Sequence, residues 1–561
     1  MKNKWLLIGI LILAAALRLY QLGAIPVSLN RDEASIGYTA YSLLKTGADE
    51  YGRSWPVNIE SFGDWKLPGY EWFAMPVIAV FGLSPWSVRL PAAIAGVLSV
   101  YLMYRLVLLV AENKKSSQAH ALFAAFLLAV VPWHVHLTRM AYEASIALAL
   151  LLGGLVLLMT AVKEHSRWRF FVSAAFFGLT FFTYHSFQLV TPLLIFVTLS
   201  MNKANYLKFS KSVWRDWFLW FVVLLTPIVV LYSGGLLGAT KTKFSGLSIF
   251  DPPAYFSRLV EKRALVSDYP ALVGKLYSSI PLEITRQFTA NLFAAVSADF
   301  LFFNGGGHGS HDIAGMGKLY TFMAPLIFLG LGGLWRKKSL FGQKTLLWIS
   351  AWLLIGILPA AITWEPAHST RAFAAVIPLI VFATEGLFQA SVLLKNHSLV
   401  RSLVTISFSA LVLYQIASMC FLYFVVAPRR DIDNWAWITP QMTSEIEGVA
   451  SQVDHVYVDG NTWSPYIFYL FFTEYDPQMA QEKITHLPPD IEGFQHVSQL
   501  DNIEFGTIEF QSIMNQADSF AIFAPVSVVP DTIKNAASEF DKYQVITHDF
   551  SQKSYLFAVR K

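Results

Sequence analysis

The sequence predicts an α-helical polytopic membrane protein that ends in a small α/β domain. Three observations predict it. Of 561 residues, 55% are hydrophobic and only 14% charged, against a charged share of roughly 25% in soluble domains. Eleven apolar runs are long enough to cross a bilayer, which takes roughly 17 to 25 residues when tilt is allowed for. Residues 427–561 contain no further run of this kind and begin with the charged group Arg429, Arg430, Asp431 and Asp433.

The runs lie near residues 5–22, 87–111, 119–137, 142–162, 169–185, 187–201, 213–233, 318–335, 345–363, 372–393 and 402–426. Alternate connections carry the basic residues: Lys2 and Lys4; Lys114 and Lys115; Lys163, Arg167 and Arg169; Lys203, Lys208 and Lys211; Arg336, Lys337, Lys338 and Lys344; Lys395 and Arg401. The positive-inside rule makes these connections and the N-terminus cytoplasmic, in the cell membrane. Segments 23–86, 134–141, 234–317, 364–371 and 427–561 then face outward. Residues 5–17 behind their basic start also fit the core of a signal peptide, and cleavage there would leave the other ten runs oriented as before. The expected division is a transmembrane domain at 1–426, with outer loops 23–86 and 234–317, and an extracytoplasmic α/β domain at 427–561.

The net charge of +4 is small for this length, and its positive residues serve orientation, so nucleic-acid binding has no support. Cys420 is the single cysteine, which excludes a disulfide framework and a thiolate metal site. Glu385 is the main acid within a run, placed where it can snorkel inward.

The first outer loop holds two helical stretches that cannot span. Glu33–Leu44 is too short and polar, and Pro68–Leu83 is interrupted by Pro76, with Trp72 and Phe73 suited to the headgroup level. They are expected to lie in the interface as a shelf with Asp32 at one edge and Lys66 at the other. The second long loop opens with Gly234-Gly235 and Asp251-Pro252-Pro253 and closes with "FFNGGGHGSHDIAGMGKLY". Its glycines suit a lid or a linker, and His308, His311 and Asp312 are expected to lack the pre-organisation a metal site needs. In the last segment, Met442, Ile446, Val449 and Val453 share a helical face, while "HVYVDG", "FAIFAP", "YQVITHD" and "SYLFAVR" read as strands.

Polar residues collect at the outer ends of the runs: Asp32 and Glu33; Asp64 and Lys66; Arg89; His134, His136, Arg139 and Glu143; Tyr184 and His185; Glu365, His368 and Arg371. Each alone reads as a surface charge. Together they suggest a cavity that holds an anion beside an acid or base. Asp32 stands just before the first short helix, where it reads either as a reacting base or as the helix cap.

The "DEA" after the first run, "DWKLPGYEWF", "FGLSPWSVRLPAAIAGVLSVYLMYRL", "RMAYEAS" and "TRAFAAVIPLIVFATEG" together resemble the GT-C superfamily of lipid-linked-sugar glycosyltransferases. The likeness is to the bacterial branch similar to protein O-mannosyltransferases and to the lipid A aminoarabinose transferases. It implies a polyprenyl-phosphate-linked sugar donor, an acceptor met at the outer membrane face, and inverting displacement. Asp32 matches the catalytic carboxylate, with Glu33 beside it as a second acidic candidate. Lys66 matches a lysine near the lipid phosphate, although this chain has "KLP" where the family has "KPP". Arg139 and Arg371 match further cations for the donor phosphate, and Asp64, Arg89, Glu143, His185 and His368 are the remaining pocket candidates. Trp65 occupies the place of a metal-binding glutamate, with Asp64 as the nearest substitute, so a divalent metal cofactor is left open. The alternatives are a transporter or lipid flippase, and a non-catalytic partner in glycan assembly. The sugar, the acceptor class (protein, lipid or glycan) and the prenol length are not readable.

Overall fold

The computed structural model describes residues 2–201, 213–233, 247–250, 255–460, 464–490 and 494–561. Lys203, Lys208, Lys211, Gly234-Gly235 and Asp251-Pro252-Pro253, to which the sequence reading assigned roles, lie outside the described residues. The chain divides into two compact units, Met1–Tyr20 with Ala92–Cys420, and Gln21–Pro91 with Phe421–Lys561. The sequence reading grouped the first outer loop with the spans; here that loop belongs to the same unit as the C-terminal residues.

The first unit is helical. Among the described residues, six helices of the chain are long and apolar enough to cross a membrane: Pro85–Val110, Glu143–Glu164, Trp214–Leu231, Gln343–Ala361, Phe373–Leu393 and Ser398–Arg430. The other five expected runs are also helical, at Lys2–Leu19, Ser117–Val130 followed by Pro132–Leu137, Arg167–Phe181, His185–Met201 and Met323–Leu331. They are shorter or carry more charge. Two buried tryptophans are matched by hydroxyls of neighbouring helices, as low dielectric favours: Trp220 Nε1 donates to Ser173 Oγ at 3.0 Å, and Trp348 Nε1 to Thr198 Oγ1 at 2.9 Å. Glu385 reaches the connection that follows the Met323–Leu331 helix. It is buried, and its Oε2 accepts the Leu340 and Phe341 amides at 3.0 and 3.3 Å, fixing the loop beyond the Met323–Leu331 helix.

The second unit is built on a mixed sheet of seven strands. Their order is Thr485–His486, Val497–Leu500, Ile503–Gly506, His455–Asp459, Phe520–Pro525, Tyr555–Arg560 and Lys542–Ile546. His455–Asp459 is the centre, parallel to both neighbours, with Val456 opposite Ile503 and His455 opposite Phe520; the outer pairings are antiparallel. The four β-branched or aromatic runs read from the sequence are four of these strands. The Thr439–Ala450 helix buries Met442 and Ile446.

In the same unit, residues 21–91 supply the two short helices, Arg31–Thr46 and Gly69–Phe81, and a hairpin the sequence reading missed, Ile59–Ser61 against Asp64–Lys66. Gly69–Phe81 packs Tyr70, Ala74 and Ile78 inward and leaves Phe73, Val80 and Phe81 exposed, an apolar face of the kind a lipid interface covers. Arg31–Thr46 packs against the Pro465–Phe472 helix, where a Cβ on Gly37 would lie 2.5 Å from the Phe471 ring. Only glycine admits that approach.

Candidate functional site

The residues singled out from the sequence fall in both units. In the second unit, the Arg31–Thr46 helix starts with a reciprocal cap. Asn30 Oδ1 accepts the Glu33 amide at 2.8 Å, and Glu33 Oε2 accepts the Asn30 amide at 3.2 Å. Asn30 caps the helix, and Asp32 does not. The Asn-x-x-Glu spacing carried this signal, and the sequence reading passed over it.

Glu33 turns to a cation, Arg89. It is fully buried, and Arg89 holds both of its oxygens, Nε to Oε1 at 2.9 Å and Nη2 to Oε2 at 2.8 Å. Arg89 also donates to the Leu22, Pro26 and Ser28 carbonyls at 3.2, 3.2 and 2.6 Å. The two residues form a buried clamp that fixes the strap before the helix. Neither lines an open pocket.

Asp32, one residue before Glu33 in the first helical turn, points elsewhere. Its Oδ1 accepts from the Lys66 ammonium at 2.9 Å; Asp32 is 49% exposed and Lys66 only 5%. The shelf expectation set these residues on opposite edges, but the hairpin returns Lys66 to the helix start. A carboxylate at a helix N-terminus is favoured by the positive end of the dipole. Asp32 is half-exposed, with a buried ammonium behind it. Asp64 stays in the hairpin turn, its Oδ1 accepting the Trp65 amide at 2.9 Å. Among the described residues no three His, Cys, Asp or Glu side chains converge as metal ligands.

In the first unit, Arg139 is fully buried and caps the C-terminal end of the Lys2–Leu19 helix. It donates to the Leu17, Arg18 and Tyr20 carbonyls at 2.7, 3.1 and 2.9 Å. A guanidinium meets the unfilled carbonyls and the negative end of the helix dipole there. These contacts give Arg139 a structural seat, where the sequence reading expected a phosphate contact.

The loop of Glu365, His368 and Arg371 meets the glycine-rich segment. Arg371 pairs with Glu365 at 3.1 Å and donates to Thr363 Oγ1 at 3.1 Å. Thr370 Oγ1 lies 3.0 Å from His368 Nδ1 and 2.8 Å from the Tyr184 hydroxyl. Burial, with the charges of Arg371 and Lys318 and the neighbouring His311 and His308, holds His368 well below the usual histidine range. The rings of His308 and His311 stack at 4.0 Å, and His311 lies 4.8 Å from His368. The glycine segment is anchored: buried Asp312 accepts the His308 amide at 2.7 Å and the Ser369 hydroxyl at 2.5 Å, and pairs with Lys318. A Cβ on Gly306 would stand 2.5 Å from the Ala367 carbonyl oxygen, so the glycine serves close packing as well as bending. His136 Nε2 and the Tyr142 hydroxyl both donate to the Ser310 carbonyl, at 3.1 and 3.0 Å. Glu143 and His185 each begin a helix, Glu143–Glu164 and His185–Met201, and are half-buried.

Residues 66–232 match the sequence pattern of the dolichyl-phosphate-mannose-protein mannosyltransferase family. YycA of Bacillus subtilis (strain 168), assigned to the mannosyltransferases, is 33% identical over 116 residues. That stretch is 21% of this chain and 16% of YycA, so the alignment spans less than a fifth of that relative. Among solved structures, ArnT from Cupriavidus metallidurans bound to undecaprenyl phosphate is similar to 99% of this chain and 98% of its own, at 13% identity and a TM-score of 0.50. The oligosaccharyltransferase AglB from Archaeoglobus fulgidus, in complex with an inhibitory peptide and a dolichol-phosphate, is similar over 100% of this chain and 74% of its own, at 13% identity and a TM-score of 0.46. The chain shares the fold of ArnT.

Proposed function

From the ArnT-like fold and the mannosyltransferase pattern of residues 66–232, we propose that this chain is a membrane glycosyltransferase. It moves a sugar from a polyprenyl-phosphate-linked donor to an acceptor at the outer face of the membrane, with Asp32 as general base. The observation that carries this is the Asp32–Lys66 pair. A half-exposed carboxylate, which Asn30 spares from capping the helix, is fixed at 2.9 Å against a buried ammonium.

In the proposed step, the acceptor oxygen attacks the anomeric carbon while its proton passes to Asp32. The bond from that carbon to the phosphate oxygen breaks, and polyprenyl phosphate leaves with the electron pair. Lys66 is the cation proposed to hold the phosphate charge as it develops. The leaving group is already a phosphate, so no second carboxyl is needed to protonate it, unlike glycoside hydrolysis. Arg371, paired at rest with exposed Glu365, is a second candidate cation, to be tested on its own. The proposed topology follows the Lys/Arg alternation: N-terminus cytoplasmic, Asp32 and the C-terminal sheet outside.

The test is reconstitution of the purified chain with undecaprenyl-phosphate-linked mannose and a cell-envelope acceptor extract. The expected result is mannose transferred and undecaprenyl phosphate released in equal amounts. Neither product forming, with this donor or with other prenyl-phosphate sugars, would contradict the proposal.

A further inference from the structure

Near Lys66 lies a second acid that the proposed reaction does not use: the Lys66 ammonium is 5.7 Å from the Phe62 ring, that ring is 6.0 Å from the ring of Tyr466, and the Tyr466 hydroxyl reaches the acid, Glu50. The Arg31–Thr46 helix ends at Gly47 in the left-handed conformation (φ 72°), and the chain turns back through Asp49, Glu50 and Tyr51. Asp49 Oδ1 accepts the Tyr51 and Arg53 amides at 3.0 and 2.9 Å, which locks the turn. That turn drives Glu50 inward until it is only 2% exposed. Its described partner is the Tyr466 hydroxyl, donating to Oε1 at the long distance of 3.5 Å. Glu50 Oε2, Asp49 Oδ2 and the Tyr51 hydroxyl are buried with no hydrogen-bond partner among the described residues.

We propose that Glu50 is a positioning residue for Lys66. Neutral, it leaves the ammonium to Asp32 and the donor phosphate; ionised, it competes for it. The inference rests on the reading of Lys66 as the phosphate-holding cation.

A buried carboxylate with one weak donor is costly, so the neutral form is favoured. The groups facing Glu50 are Asp49 and Tyr51 from its own turn, Tyr38 from the Arg31–Thr46 helix, Glu60 and Lys66 from the hairpin, and Tyr466 from the Pro465–Phe472 helix. Burial, then the negative charge of Asp49, pushes the Glu50 carboxyl up to about 8, while Lys66 and Tyr466 work against the shift. Ionisation would place a second carboxylate on an ammonium that Asp32 already shares, weakening its field at a phosphate.

The experiment measures binding of undecaprenyl phosphate to the full chain in nanodiscs from pH 7.5 to 9.5. A phosphate monoester, with a second pKa of about 6, keeps its charge over that range. Wild-type affinity should fall on the order of tenfold, and Glu50→Gln should remove the fall. Tyr466→Phe, which deletes a donor to the ionised form, should move it to higher pH. The Tyr466→Phe comparison also keeps the inference testable if Glu50→Gln does not fold. Curves that coincide in all three proteins would overturn the inference. Lys66→Ala separates the two readings. If it weakens binding while the curves coincide, only the role of Glu50 fails; if it leaves affinity unchanged, the phosphate reading of Lys66 fails and the role of Glu50 with it.

Discussion

Asn30 and Glu33 cap the Arg31–Thr46 helix reciprocally, at 2.8 and 3.2 Å, and this pairing determines what Asp32 is available to do. With the cap supplied by Asn30 and the buried salt bridge by Glu33 and Arg89, the adjacent acid is turned to the Lys66 ammonium and to solvent. Neighbouring carboxylates therefore have opposite environments. One is a fold element, and the other is accessible to an incoming hydroxyl.

The Glu33–Arg89 clamp should behave as structure. Arg89→Ala leaves a buried carboxylate without its partner and should cost about 3 to 5 kcal/mol of stability. The double variant Glu33→Gln with Arg89→Met should recover part of that loss. Thermal unfolding of the purified proteins measures both. An Arg89→Ala protein as stable as the parent would contradict the clamp.

Arg139 and Arg371 should separate in their effects. Arg371→Ala should weaken binding of undecaprenyl phosphate with the fold intact, since a charge-assisted hydrogen bond is worth about 1.5 to 3 kcal/mol, or roughly 10- to 150-fold in affinity. Arg139→Ala should lower the melting temperature, because the carbonyls ending the first helix lose their donor, and should leave the affinity of the folded fraction unchanged. Binding isotherms beside melting curves distinguish the two. The reverse pattern would return Arg139 to the phosphate.

Stability should fall with rising pH on account of Glu50. Its folded-state carboxyl is raised from an ordinary 4.5 to about 8, so the folded state holds a proton that the unfolded chain releases. The contribution is fully present below about pH 4.5 and is lost as pH rises through about 8. Melting temperature measured from pH 5 to 9 should decline less steeply in Glu50→Gln than in the parent. Equal slopes would remove Glu50 from the account.

The proposed topology places the C-terminal sheet outside. A reporter fused after Lys561 should be active as an external marker, and a cytoplasmic signal there would overturn the facing assigned to Asp32.

Much of the architecture was legible because it rests on local pattern. The apolar runs became helices, and strands such as "FAIFAP" and "SYLFAVR" were recognisable by composition. What the sequence hid depends on partners distant in the chain. Arg89 and Arg139 look like cavity cations in a linear list, yet each is enclosed by backbone carbonyls that only the fold brings together. The Ile59–Lys66 hairpin is short and weakly patterned, so nothing local revealed that Lys66 returns to Asp32. The glycine-rich segment read as loose because glycine is permissive, while its fixed position comes from Asp312, Ser369 and Lys318. Glu50 gave no signal at all: an acid in a polar turn is expected in water, and its burial depends on the helix that carries Tyr466.

The central claim is that Asp32 takes the acceptor proton, and the turnover of Asp32→Asn tests it most directly. Because Asn30 caps the helix, the substitution should leave the fold unchanged, and melting temperature and undecaprenyl phosphate binding serve as controls. The account predicts a loss of turnover on the order of 100-fold or more, with the melting temperature preserved and undecaprenyl phosphate bound at least as tightly as by the parent. An Asp32→Asn protein that transfers sugar at near the parental rate would contradict it.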